Sequence, residues 1–181
     1  PIYAGQEGGE AIADVLFGDY NPSGKLPITF YKSSDQLPDF EDYSMKGRTY
    51  RYFNDPLFAF GYGLSYTQFS IGEGKIEKKG KNYTLNVPVS NIGKRDGTEI
   101  VQVYIRDLSD PEGPLKSLRA FQRVDVKAGQ TVNAQLELTP KSFEFFDPET
   151  NTVHQKNGQF EIFYGTSSQD KDLKKLSLTI K

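Results

Sequence analysis

Residues 5–30 read GQEGGEAIADVLFGDYNPSGKLPITF, and this stretch sets the interpretation of the whole chain. Its first half has apolar residues at helical spacing, which predict a helix with one apolar stripe. The stripe consists of Ala11, Ile12, Val15 and Leu16. Gly18 follows where a helix C-cap favours a left-handed residue. We expect Asn21–Gly24 to form a turn and Leu26–Phe30 a short strand.

A helix, a turn and a strand make one step of a layered α/β domain. Only four residues precede this step, so the chain has no upstream element against which the helix and strand can pack. We therefore expect residues 1–32 to be the C-terminal remnant of an α/β domain in a larger protein. For the same reason we expect residues 1–30 to be held less firmly than the rest of the chain.

Residues 33–64 show no sustained periodicity and are expected to form a long connector. Connectors of this length are uncommon inside compact domains, and they are often functional or lie between domains. The high density of Tyr and Phe in its second half indicates that the connector packs against another surface.

Residues 65–181 show short apolar-alternating stretches with turn signals between them. About seven strands are predicted, so we expect a mainly β fold, an antiparallel immunoglobulin-like sandwich. The chain has no Cys and no Trp, which excludes a disulfide-bonded immunoglobulin domain and leaves a fibronectin type III-like sandwich. A slip in parity between Phe121 and Val124 predicts a β-bulge. We expect Phe143, Phe145 and Phe146 to form a short turn that plugs the core.

Composition excludes several classes of function. A net charge of -2 and a pI near 5.5 give no basic footprint for nucleic acid or an anionic membrane. No apolar run approaches the ~20 residues of a membrane span. The absence of Cys removes disulfides, thiolate metal sites and a Cys nucleophile. We expect no metal and no cofactor, and we expect the single histidine, His154, to lie in a surface hairpin without a catalytic role.

Three motifs carry a resemblance to a known family. Residues 5–27 resemble the closing segment of the second catalytic domain in glycoside hydrolase family 3. Phe60–Thr67 resembles the junction to that family's fibronectin type III-like domain, and Leu118–Val124 resembles that domain's signature. The motifs occur in the family's order and the resemblance covers the whole chain, although family members commonly have Pro where Ala4 stands. Gly47–Phe53 is more similar to the β-xylosidase branch than to the β-glucosidase branch.

The resemblance implies a parent enzyme that hydrolyses terminal β-linked xylose or glucose from oligosaccharides. Retaining glycosidases need two carboxylates roughly 5 Å apart. In the family the nucleophile is an Asp of an N-terminal barrel domain, and the acid/base Glu lies before the segment that corresponds to Gly5. The resemblance therefore implies a C-terminal fragment that contains no catalytic residue and supports the missing barrel and α/β domains. It also implies a periplasmic or secreted location, with a cytoplasmic enzyme as the alternative.

Four residues are weak candidates for contacting substrate in the full enzyme. Gln6 and Glu7 lie at the Gly-rich helix start, where Glu7 has an alternative role as a structural cap. Arg48 and Tyr50 offer a fork-shaped donor and an aromatic face at a substrate entrance. Their alternative role is to attach the connector to the sandwich and to the missing domain.

Two other classes of function stay open at the level of sequence. In the first, the sandwich is a carbohydrate-binding module that holds glycans through exposed Tyr or Phe. In the second, it is a structural or protein-interaction module that helps the enzyme associate with itself or with a polymer.

Overall fold

The computed structural model describes residues 4–147 and 149–181, and within them the chain forms two α-helices and ten β-strands. The helices are α1 (Gly8–Phe17) and α2 (Thr49–Tyr52). The strands are β1 (Phe69–Ile71), β2 (Lys75–Lys79), β3 (Asn82–Asn91), β4 (Gly97–Asp107), β5 (Ser117–Val126), β6 (Thr131–Leu138), β7 (Glu144–Asp147), β8 (Thr152–Gln155), β9 (Gly158–Gly165) and β10 (Leu173–Ile180). Short 3-10 turns occupy Ser34–Gln36, Pro140–Phe143 and Asp170–Asp172.

The strands form two antiparallel four-stranded sheets that pack face to face. In the first sheet β3 is flanked on one side by β6 and on the other by β1 and β2. The second sheet has the order β10-β9-β4-β5, and β7 and β8 form a separate hairpin. The expected antiparallel sandwich is therefore confirmed. The expected number of strands was too low by three, since β2, β7 and β8 were not counted, although the hairpin expected around His154 is the one that β7 and β8 form.

The core lies between the two sheets and follows the alternation read from the sequence. Every second residue of β3 is buried, from Tyr83 to Asn91. The expectation of a phenylalanine plug is confirmed for Phe143 and Phe145, which are buried and pack against Phe160. It is wrong for Phe146, which is 53% exposed because its side chain points to the opposite face of β7.

The β-bulge lies in the predicted strand but not at the predicted place. Val103 of β4 pairs with Ala120, and Tyr104 pairs with Leu118, so the extra residue of β5 is Arg119. The sequence predicted the bulge further along the strand, between the apolar residues Phe121 and Val124. Phe121 is instead an exposed residue of the outer face, which makes the sequence parity misleading there.

The connector explains why both faces of β4 are buried. Val101, Val103 and Ile105 face the core, while Gln102 and Tyr104 point outward and are also buried. The ring of Tyr50 lies 5.6 Å from that of Tyr104, and the Nε2 atom of Gln102 donates to the Gly61 carbonyl at 3.1 Å. The aromatic side chains of the connector therefore cover the outer face of the second sheet.

Helix α1 forms where the sequence predicted it and ends at Gly18, whose φ of 86° is left-handed. None of its ten residues, all within the described part of the chain, is buried. Leu16 and Phe17 are 73% and 84% exposed. The apolar stripe therefore has no partner in the described chain, and the prediction that this region lacks its packing neighbours agrees with the observed exposure.

The predicted turn and strand after α1 do not form. Asn21–Gly24 is irregular, and of Leu26–Phe30 only Phe30 makes a bridge, to Phe58. The backbone of Leu26 does exchange hydrogen bonds with Gly61 and Tyr62 at 2.8 Å. Pairing with the connector resumes at Phe30, whose N–H donates to the Phe58 carbonyl at 2.9 Å, but within the described chain Ile28 makes no backbone hydrogen bond that would join the two places into a strand.

Two polar contacts attach this segment to the sandwich. Lys25 and Glu99 form an ion pair at 2.7 Å, and their side chains are only 14% and 10% exposed. The Asn21 side chain donates to the Asp96 carbonyl at 3.0 Å and accepts from the Tyr66 N–H at 2.8 Å. Residues 20–30 are therefore fixed to the sandwich, whereas α1 projects from it.

Candidate functional site

The four candidate residues from the sequence lie in two different places. Gln6 and Glu7 line an open groove of about 780 Å³ along α1. Arg48 and Tyr50 line a concavity of about 510 Å³ beside the connector. The two concavities share no lining residue. The structure therefore does not bring the two pairs together into one site.

Gln6 and Glu7 are exposed at the start of α1. Glu7 is the N-cap residue, but its side chain makes no capping hydrogen bond. Its backbone carbonyl accepts the Ala11 N–H at 3.1 Å, which begins the helix. Glu7 thus occupies the cap position that the alternative role assigned to it, but its φ of -85° and ψ of 11° are not the extended conformation from which a side chain caps.

Arg48 organises the connector loop that precedes it. Its Nε atom donates to the Ser44 carbonyl at 3.0 Å, and its Nη2 atom donates to the Asp42 carbonyl at 2.5 Å. Hydrogen bonds from Ser44, together with the Arg48 charge, lower the pKa of Asp42. The loop is thus held by charge-assisted hydrogen bonds, although it lies at the surface.

The same loop presents two aromatic side chains that sequence reasoning did not single out. Phe40 and Tyr43 are each 91% exposed. An ordered loop with two bare aromatic rings is unusual, because exposed aromatic surface is ordinarily buried when a neighbour is available. The signal in the sequence was the alternation of aromatic and acidic residues in PDFEDYS, residues 38–44.

Tyr50 is engaged with the sandwich through its ring and its hydroxyl. The ring stacks on Phe60 with centroids 4.3 Å apart and meets Tyr104 edge-on. The Leu118 N–H donates to the Tyr50 hydroxyl at 3.0 Å. These contacts accord with the alternative in which Tyr50 attaches the connector to the sandwich.

His154 lies in β8 of the β7–β8 hairpin and is exposed. Its Nε2 atom is 3.9 Å from Asp147. Hydrogen bonding by the Glu149 N–H is the main cause that lowers the pKa of Asp147, and His154 adds to it. Among the described residues, no group of three His, Cys, Asp or Glu side chains is placed to hold a metal ion.

No helix within the described ranges is long and apolar enough to cross a membrane. The remaining evidence comes from comparison with known proteins. Residues 2–66 match the sequence profile of the Glycosyl hydrolase family 3 C-terminal domain, and residues 99–168 match that of the Fibronectin type III-like domain.

Three proteins illustrate the similarity. The chain is 64% identical, over 98% of its length, to the Xylan 1,4-beta-xylosidase of Xylanibacter ruminicola, of which it covers 21%. It is 38% identical, over 92% of its length, to the Periplasmic beta-glucosidase of Salmonella typhimurium, of which it covers 24%. Among solved structures, the β-glucosidase DesR from Streptomyces venezuelae, in complex with D-glucose, matches 96% of this chain with a TM-score of 0.85 at 28% identity. The chain covers 25% of DesR, and it thus spans about a fifth to a quarter of the length of these relatives.

Proposed function

The chain belongs to glycoside hydrolase family 3, and from this premise we propose that it is the non-catalytic C-terminal part of a β-xylosidase. The resemblance read from the sequence is thereby confirmed at the level of the family. In this proposal the chain completes and braces the catalytic domains of an enzyme that removes terminal β-linked xylose from oligosaccharides. Both catalytic carboxylates lie in residues N-terminal to Gly5.

The preference for xylose is supported by the 64% identity to one protein named as a xylosidase. At lower identity the names do not discriminate, since a protein named as a β-xylosidase is 37% identical and a protein named as a β-glucosidase is 38% identical. The motif Gly47–Phe53 supports the same choice.

One observation carries the proposal that the chain packs against another domain of an enzyme. Within the apolar stripe of α1, Ala11, Ile12 and Leu16 are exposed and Val15 is only partly buried. A ten-residue helix with an unburied apolar face is marginal in water, because most helical stability in proteins comes from packing that face. We infer that the missing α/β domain covers this stripe and that the barrel and α/β domains are the partners of the chain.

The loop around Phe40 and Tyr43 supports the same arrangement. Arg48 binds the carbonyls of Asp42 and Ser44 and so supports the backbone of the loop that carries the two exposed rings. We infer that this loop contacts the catalytic domains, which would place Arg48 near the substrate entrance as a positioning residue. Gln6 and Glu7 directly precede α1, so they would meet the missing domain at the same surface that α1 contacts.

The domain limits and the location complete the proposal. We place the end of the α/β domain at residues 1–32, the connector at 33–64 and the fibronectin type III-like domain at 65–181. A periplasmic or secreted enzyme is supported by the periplasmic relative.

Turnover of nitrophenyl β-xyloside tests this function. The 181-residue chain should release no nitrophenol, whereas the protein extended toward its N-terminus should release it from the xyloside faster than from the glucoside. In the extended protein, Leu16→Glu should abolish activity by opening the domain contact, and Glu10→Lys on the polar side of α1 should not. Turnover by the chain alone, or full activity of the Leu16→Glu protein, would contradict the proposal.

A further inference from the structure

A cleft of about 450 Å³ lies where α2, the loop at 110–114, the bulge of β5 and the β7–β8 hairpin meet. We call it the hairpin cleft, and its principal lining residues are Arg51, Tyr52, Asp110, Arg119, Phe145 and Phe146. Its volume is within the range of about 300–1,000 Å³ that is typical of small-molecule sites. None of the candidate residues from the sequence lines it.

Two arginines supply unused hydrogen-bond donors to this cleft. Arg119 is the bulged residue; its Nη2 atom donates to the Glu144 carbonyl at 2.7 Å, and its guanidinium lies 4.6 Å from the centre of the Phe145 ring. The guanidinium is therefore held in place from two sides. The Nε atoms of Arg51 and Arg119 are both buried without a hydrogen-bond partner in the described chain.

Neither arginine forms an ion pair with a carboxylate of residues 4–147 or 149–181. These Nε atoms are out of reach of a ligand, but a guanidinium group carries five N–H donors, and of the two groups only the Nη2 atom of Arg119 has an acceptor among the described residues. Burial, and next the charge of Arg51, lower the pKa of Arg119.

The opposite side of the cleft supplies acceptors. Asp110 and Glu112 line it from the 110–114 loop, and Glu144 lines it from β7. Three carboxylates beside two guanidinium groups disfavour a ligand with its own negative charge. A ligand whose groups both donate and accept hydrogen bonds matches this arrangement, and hydroxyl groups do so.

An apolar wall completes the site. Phe146 is half-exposed at the cleft, and Val153 of β8 lies exposed beside it. Tyr52 also lines the cleft, with the Arg51 guanidinium 5.7 Å from its ring centre. The negative face of an aromatic ring attracts the polarised C–H groups of a ring that carries hydroxyls.

We propose that the hairpin cleft binds one neutral sugar residue of an oligosaccharide, with Arg51 and Arg119 donating to its hydroxyls and Phe146 packing on its face. The choice of a sugar among polyhydroxylated ligands rests on the proposed glycosidase function. The cleft is formed by the connector and the sandwich alone, so it acts as an accessory site that holds oligosaccharide on the non-catalytic part of the enzyme.

Calorimetric titration of the 181-residue chain with xylohexaose tests the proposal, with backbone amide shifts followed by NMR. The wild-type chain should bind at millimolar concentrations, and the shifted amides should cluster at residues 51–52, 110–119 and 144–153. Arg51→Gln and Phe146→Ala should each weaken binding roughly tenfold, as expected for the loss of a charge-assisted hydrogen bond or an aromatic contact. Arg123→Gln and Phe121→Ala are the matched controls on β5 outside the cleft and should bind as the wild type does.

Absence of binding, or equal binding by the wild type and both cleft variants, would overturn the site. Tighter binding of tetragalacturonate than of xylohexaose would overturn its preference for a neutral ligand. Circular dichroism checks that each variant is folded. The titration measures binding without turnover, so a failure of the glycosidase proposal in the nitrophenol assay is distinguishable from a failure here.

Discussion

At the scale of single residues, a largely buried ion pair of Lys25 with Glu99 joins the N-terminal segment to the sandwich. Both side chains are largely withdrawn from water, and Glu99 also accepts the Ile100 N–H at 2.6 Å. Buried charges are costly unless they are paired, so each partner is needed mainly to neutralise the other.

Replacing Lys25 with Met should therefore destabilise the chain by about 3–5 kcal/mol, because it leaves the Glu99 carboxylate buried without its counter-charge. Urea unfolding at neutral pH measures the change. Lys32→Met is the control, since the pair of Lys32 with Asp55 is exposed and should contribute less than about 1 kcal/mol. If the two substitutions lowered the free energy of unfolding equally, the ion pair of Lys25 would be as well solvated as the exposed pair of Lys32.

Tyr50 shows what sequence can say about a single side chain. Its neighbourhood of aromatic residues predicted packing, and its ring does stack on Phe60. Its hydroxyl, however, accepts from the Leu118 N–H, next to the bulged residue Arg119. That partner is 68 residues away in the chain, so no local pattern could have indicated it.

At the scale of elements, the fold was predictable wherever burial on one face imposed a strict alternation. Strands β3 and β6 follow this pattern, and both were predicted. β2, with the sequence KIEKK, has one apolar residue and is held by pairing to β3, so it was missed. Leu26–Phe30 has the alternation of a strand, but only Leu26 and Phe30 form backbone hydrogen bonds with the connector, so no continuous ladder results.

The candidate site was less predictable than the fold, for a related reason. The hairpin cleft combines residues of α2, β5 and β7, and only the tertiary arrangement brings them together. Arg119 points into the cleft as the extra residue of a bulge, and the sequence placed that bulge two to five residues later.

The β7–β8 hairpin should depend on pH through Asp147. Its carboxylate accepts the Glu149 N–H at 3.0 Å and the Thr150 hydroxyl at 3.1 Å. These bonds hold the pKa of Asp147 below the ordinary value of 3.8, and the charges of His154 and Lys156 act in the same direction. A lowered pKa means that the stabilisation is complete above the ordinary pKa and is lost as the pH falls through the lower folded value.

An acid titration followed by NMR measures this dependence. The amide shift of Glu149 should titrate with a midpoint below 3.8, and the hairpin should open over the same range while β3 stays protected. Asp147→Asn should remove the titration, because the amide oxygen still accepts a hydrogen bond but carries no charge. A midpoint at or above the ordinary carboxyl pKa would contradict the assignment.

At the scale of the whole molecule, the connector belongs energetically to the sandwich, although it follows the α/β segment in sequence. It covers Gln102 and Tyr104 on the outer face of β4, and burial raises the pKa of the Tyr104 hydroxyl, which donates to Gln102. The Lys116 side chain, also buried, donates to the Ser168 carbonyl at 3.0 Å beside the connector. Helix α1 makes no comparable buried contact within the described residues.

This asymmetry predicts the outcome of two truncations. A chain that starts at Asp19 loses only α1 and its surface hydrogen bonds, such as that from the Tyr66 hydroxyl to the Val15 carbonyl, and should keep its stability within about 1 kcal/mol. A chain that starts at Ser65 also loses the connector and residues 19–32, which include Lys25, the partner of Glu99. It exposes Tyr104, which is buried completely, and removes one of the two acceptors of the Gln102 amide, the Gly61 carbonyl, so it should lose at least about 3 kcal/mol. Urea unfolding of the three chains under one condition measures both differences. If the Ser65 chain were as stable as the Asp19 chain, the connector would be a passive linker, and the aromatic contacts of Tyr50 and Phe60 would contribute nothing to the stability of the sandwich.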